Sequence, residues 1–136
     1  MREVAFQTLF ALASEPDADR ETIYRSLIKL NDDEQAPAFL NSLVSGVMDH
    51  QDQLDQQISD HLAAGWTIQR LAKPNLIILR LALYELQYED DMPQAVAIDE
   101  ALQLAKAFSD DRSRKFINGL LSNFADQEKW FSFIMR

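Results

Sequence analysis

Arg112, Arg114 and Lys115 place three cations within four residues, beside the ring of Phe116 and just before Asn118. Cations neutralise phosphates, and an exposed ring stacks on an unpaired base, so this cluster has the chemistry to hold RNA. Cations at a helix start also oppose the helix dipole, which argues for a role beyond helix stability. The plainer reading buries Phe116 in the core and leaves the cations solvated. Lys106, Lys129 and Arg2 extend the patch if the fold brings them near.

The remaining constellations point away from catalysis. His50 and His61 lie eleven residues apart, about three helical turns or roughly 16 Å, too far to share one metal. Structural or surface histidines are expected. The carboxylate pairs Asp32-Asp33, Asp90-Asp91 and Asp110-Asp111 stand at expected helix starts, where capping suits them better than acid–base work. Serine, histidine and aspartate occur without a nucleophile elbow or a Gly-rich oxyanion segment. The chain has no cysteine, which excludes disulfides, thiolate metal sites and cysteine nucleophiles. Three glycines are too few for a Gly-rich phosphate loop or a dinucleotide fingerprint. No enzyme, cofactor or metal is expected.

Arg80 sits midway along the most apolar stretch, with Lys73, Gln87 and Asp91 on the same helical side. A narrow solvated seam is the simpler reading. The alternative is a buried arginine paired to a carboxylate, locking two helical halves together.

These side chains must be positioned by helices. The 136 residues suit one domain, and 47% apolar with 26% charged residues marks a globular chain. Phe6, Leu9, Phe10 and Ala13 form one helical stripe, and Ile23, Tyr24, Leu27 and Ile28 a second. A long third helix is expected from Gln35, with Pro37 in its first turn, to Gly65. Thr67 would cap a short turn through Leu71. Lys73 to about Glu89 reads as a helix buried nearly all round. Ile98, Ala101, Leu102, Ala105 and Phe108 give the inner face of the next, and Phe116, Ile117, Leu120, Leu121 and Phe124 that of another. A last segment, Gln127 to Met135, carries Trp130 and Phe131. Gly46 and Gly119 fall inside helices, implying close backbone approach at a crossing. No alternating strand pattern occurs, so the class is all-α.

Thirteen basic against 22 acidic residues give a net charge of −9. Residues 1–68 hold 4 basic and 12 acidic side chains (−8), and residues 69–136 hold 9 and 10 (−1). Overall charge therefore repels nucleic acid, and binding needs a local basic patch or a basic partner. The acidic first half suits a cationic protein. Arg80 and Glu85 interrupt the best apolar run before the roughly 18 residues a membrane span needs. No signal-peptide pattern opens the chain, so a cytoplasmic location is expected.

Taken in order, the segments resemble a known family. Leu76-Ile77-Ile78-Leu79-Arg80-Leu81-Ala82-Leu83-Tyr84-Glu85-Leu86 resembles the central "ILRLALYEL" of the NusB family of bacterial transcription antitermination factors. Val96-Ala97-Ile98-Asp99-Glu100-Ala101-Leu102-Gln103-Leu104-Ala105-Lys106, after Met92-Pro93, is similar to "P…VAINEAVELAK", and Lys115-Phe116-Ile117-Asn118-Gly119-Leu120-Leu121 to "KFVNGVL". Upstream, Arg2-Glu3-Val4-Ala5-Phe6-Gln7-Thr8-Leu9-Phe10 resembles "REXAXQALY", and Leu43-Val44-Ser45-Gly46-Val47 matches "LVXGV". The ordered set covers about the first 121 residues.

The resemblance implies about seven helices in two packed subdomains of a single domain spanning 1–136, divided near residue 66 (about 1–66 and 67–136). It implies pairing with ribosomal protein NusE and binding of boxA RNA in nascent transcripts. That pair would nucleate a complex with NusA, NusG and RNA polymerase that suppresses termination, notably in ribosomal RNA operons. RNA contact would fall on Arg2, Phe10, Arg112, Lys115, Phe116 and Asn118. The NusE surface would involve Asn75, with Tyr84 and Glu85. An alternative is a helical interaction module or homodimer without direct RNA binding. The family's arginine-rich opening is represented here only by Met1-Arg2, Phe10 replaces a tyrosine, and Asn75 and Arg112 stand where acidic residues are frequent.

Overall fold

The computed structural model describes residues 2–31, 33–89 and 91–125. They form seven α-helices and one 3-10 turn, with no strand among the described residues. The expected segment Gln127–Met135 and the residues Asp32, Asp90 and Lys129 lie outside them. None of these helices is long and apolar enough to cross a membrane. The chain divides into two compact units, Met1–Asp49 and His50–Arg136.

The first unit contains α1 (Arg2–Ser14), α2 (Arg20–Leu27) and α3 (Ala38–Asp49). Ala5, Phe6, Leu9 and Leu12 form the buried stripe of α1, which packs against α2 and α3. Thr8 is buried among them, and its hydroxyl donates to the Val4 carbonyl at 2.8 Å, so no polar atom is stranded. Asp19 caps α2: its carboxylate accepts from the Thr22 N–H at 3.3 Å and from the Thr22 hydroxyl at 2.7 Å. Tyr24 is buried, and its hydroxyl donates to Asn41 Oδ1 at 3.0 Å, tying α2 to α3. Burial pushes the Tyr24 phenol above its ordinary value, against the opposing charge of Arg20. Pro37 stands immediately before α3, its carbonyl accepting from the N–H groups of Leu40 and Asn41. Leu40, Leu43, Val44 and Val47 are the core face, with Gly46 buried beside them.

The second unit holds α4 (Gln51–Asp60), the 3-10 turn Ile68–Arg70, α5 (Lys73–Tyr88), α6 (Gln94–Phe108) and α7 (Asp111–Ser122). The single helix expected from Gln35 to Gly65 is thus two, interrupted at His50, where φ is −107° and ψ 13°. Spacing does not reveal the break, because the apolar stripe runs in register from Val47 to Leu54 and Ile58. At the break the His50 ring lies 4.2 Å from that of Tyr88 and 5.8 Å from that of Tyr84, centroid to centroid. His61 packs likewise on Phe124 at 4.4 Å, with Nδ1 2.9 Å from the Gln57 carbonyl. Both histidines are parts of aromatic packing.

α5 is the axis of this unit. Ile77, Ile78, Leu79, Leu81, Ala82 and Leu83 are all buried, against α4, α6 and α7. The small residues Ala97, Ala101 and Ala105 let α6 approach closely, with Leu104 completing its buried stripe. That stripe is rotated from the expected one: Ile98, Leu102 and Phe108 are only half-buried. Ile117, Leu120 and Leu121 anchor α7, whereas Phe116 and Phe124 are half-buried. Gly119 marks no helix crossing among the described residues, since a Cβ built there meets none of them within 4 Å. Gly65 does have a backbone reason, a φ of +86° in the turn after α4.

Arg80 overturns the simpler expectation of a solvated seam. Its Nε donates to Asp55 Oδ1 at 2.7 Å and its Nη2 to Asp55 Oδ2 at 2.8 Å. The side chains are 12% and 23% exposed, so the fork is largely shielded from water. It ties the middle of α5 to α4, supported by a bond from the Tyr88 hydroxyl to Gln53 Oε1 at 3.2 Å.

Of the three acidic pairs, Asp110-Asp111 acts as expected. Asp110 caps α7, its Oδ1 accepting from the Ser113 N–H at 2.7 Å. Asp33 and Asp91 sit in turns before α3 and α6, and the N-cap position of α6 is Pro93 rather than an aspartate. The Ser113 N–H, joined by the Ser113 hydroxyl and the Arg112 charge, holds the Asp110 carboxyl below the ordinary carboxylate range. A depressed folded value contributes stability above the unfolded value, near about 4, that is lost as pH falls through the folded one. Asp110→Ala is therefore expected to lower the melting temperature at neutral pH, with a deficit that narrows under acid. A deficit unchanged down to about pH 2 would show that the charged cap is not its source.

Candidate nucleic-acid and partner surfaces

Capping by Asp110 sets the start of α7 and so the direction in which its cations point. Arg112, Lys115, Phe116 and Gly119 fall within about 100° of helical arc. Arg114 turns away and pairs with Asp111 at 3.4 Å. Arg112, Lys115 and Asn118 are exposed, and Phe116 is half-buried. Gly119, exposed and with no described residue within 4 Å of a Cβ built there, continues this face without a side chain. Of the three expected cations, Arg112 and Lys115 are thus exposed to solvent, and Phe116 is half-buried beside them rather than enclosed in the core.

Phe116 and Arg112 also border a cleft of about 650 Å³. Trp66, Arg70, Leu62 and Asn75 line it too. Trp66 and Arg70 escaped the sequence reading. The available signal was an aromatic after a glycine turn with an arginine four positions on. Arg70 lies over the Trp66 ring at 5.4 Å, and its Nη1 donates to the Gly65 carbonyl at 2.8 Å. The left-handed turn at Gly65 therefore supplies the anchor for that pair.

Asn75 is 7% exposed, so its side chain looks inward. Its Nδ2 donates to Ser113 Oγ at 2.9 Å, and its Oδ1 accepts from Ser109 Oγ at 2.7 Å. The amide thereby clamps the start of α5 to the α6–α7 junction. Tyr84 is buried and Glu85 is 2% exposed, and no buried side-chain nitrogen or oxygen among the described residues lacks a partner. None of the three expected partner residues presents a prominent side chain to solvent. In the first unit, Phe10 is 36% exposed, its ring 6.1 Å from that of Phe6. Arg2 is half-buried, its guanidinium 5.9 Å over the ring of Phe39.

The helical order agrees with a family match: the model described as the NusB family covers residues 1–126. The chain belongs to the NusB family. A transcription antitermination protein NusB of Limosilactobacillus fermentum is 61% identical over 123 residues, covering 90% of this chain and 88% of the relative. Among solved structures, NusB of T. maritima matches with a TM-score of 0.79 at 33% identity, covering 93% of this chain and 92% of that one. A second, described as antitermination factors NusB and NusE in complex with dsRNA, matches at 0.74 and 25% identity. It covers 90% of this chain and 91% of the other.

Proposed function

We propose that this chain is a transcription antitermination factor, a non-catalytic adaptor that pairs with ribosomal protein NusE and binds boxA RNA in nascent ribosomal transcripts. Family membership carries this reading, and the outward Arg112–Lys115–Phe116 face of α7 supports its RNA half. A chain of net charge −9 gains little from phosphate attraction overall. A basic partner supplies the missing positive field, so the RNA-competent species is the heterodimer. Within it, Arg112, Lys115, Phe116 and Asn118 carry RNA contacts from the second unit, and Arg2 and Phe10 from the first. Asn75, Tyr84 and Glu85 act on the NusE surface by shaping the α5 framework, because their side chains are buried. NusA, NusG and RNA polymerase complete the assembly in the cytoplasm.

The decisive measurement is binding of boxA RNA and a scrambled RNA, each with and without NusE. A selective, NusE-dependent gain is expected. No gain over the scrambled RNA would overturn the reading, and light scattering of the isolated chain would then reveal whether it self-associates instead.

A further inference from the structure

The cleft beside α7 has an unusual lining for so acidic a chain. Arg70 and Arg112 border it, and no aspartate or glutamate among the described residues does. Trp66 remains 54% exposed there, although an indole of that size favours burial. Arg70, bonded to the Gly65 carbonyl, lies over the indole and so shares a fixed position with it. Phe116 brings a second ring from α7. Two rings, two guanidinium groups and about 650 Å³ of space suit a planar group carrying an anion.

We infer that the Trp66–Arg70–Arg112–Phe116 cleft receives one unpaired nucleotide of the bound RNA, its base stacked on an aromatic ring and its phosphate held by an arginine. The inference rests on the RNA-binding reading and deepens it. It adds Trp66 and Arg70 to the surface, and it requires a base free of its duplex, since a paired base cannot leave its stack to enter a cleft without unpairing. Asn75 and Ser113 also line the space, but they hydrogen-bond to each other, and Ser109 takes the Asn75 oxygen. Those groups are engaged inside the protein, so the pocket reads stacking rather than base edges and tolerates different bases.

Trp66 itself reports on the test. The sequence has two tryptophans, so Trp130→Phe leaves Trp66 as the sole indole. With NusE present, single-stranded boxA RNA is expected to quench Trp66 emission with the same midpoint as binding, and the fully paired duplex to leave it unchanged. Trp66→Ala should weaken single-strand binding about tenfold, with Trp66→Phe recovering most of it. Unchanged emission on RNA binding, or Trp66→Ala affinity within twofold of wild type, would overturn the cleft assignment. So would full quenching by NusE alone, which would give the cleft to the protein partner. A wild-type heterodimer that binds no RNA sinks the functional reading first, before any variant is compared.

Discussion

Reversing Arg112 and Lys115 together to glutamate is expected to reduce RNA affinity of the NusE-bound chain by about 100-fold, without loss of thermal stability. The two effects separate because the site and the helix make opposite demands. Both cations are exposed on the first turns of α7, where the dipole favours negative charge. Glutamates there extend what Asp110 and Asp111 already do for the helix. Toward RNA they replace two phosphate partners by two repulsive charges, on a chain already at −9. The salt dependence of binding should flatten as well, by roughly 0.7–0.9 in log–log slope for each lost phosphate contact. Lys115→Glu alone should show the same pattern at smaller amplitude. Affinity within about threefold of wild type for the double variant would remove α7 from the RNA surface. An equal loss of stability would make these residues structural.

The second large effect concerns stability. Asp55→Ala is expected to cost about 2–3 kcal/mol in denaturant unfolding, because it strands the Arg80 guanidinium in a largely dry place on α5. Arg80→Ala should cost a similar amount from the other side. Replacing both, as Asp55→Leu with Arg80→Met, should restore most of the loss, since the desolvation penalty of both charges disappears with them. A cost below about 0.5 kcal/mol for Asp55→Ala would mean that water reaches the fork and screens it as at an ordinary surface. RNA binding by the folded fraction should be unchanged, because the pair faces α4 and lies outside the cation–aromatic surface.

Much of the architecture was readable in advance, and the misses share a cause. Helical class, the burial of α5 nearly all round and the Asp110 cap all depend on residues within a turn or two of each other. The interruption at His50 is invisible in the spacing because the apolar stripe continues through it, and the rings that His50 contacts, Tyr84 and Tyr88, lie more than thirty positions away. For Arg80 the spacing favours a seam over the carboxylate pairing that the structure shows, for the same reason: Asp55 is 25 positions distant and on another helix. Gly119 misled in the opposite sense, since a glycine inside a helix signals close approach, yet none of the described residues comes within 4 Å of a Cβ built there. The α7 surface was half legible. Its cations and ring were named from spacing, but Trp66 and Arg70 come from the loop after α4 and the turn beyond it.

The order and types of residues alone determined that this chain is helical, acidic, free of cysteine chemistry and built from the segments of the NusB family. They determined this because helix periodicity, capping and charge are sums over neighbours along the chain. Only the tertiary structure decided which cations point outward, which arginine is clamped by a carboxylate, and which rings border a cleft. Those outcomes depend on pairs far apart in sequence that packing brings within a few ångströms, where exclusion of water decides whether a charge is paired or left available.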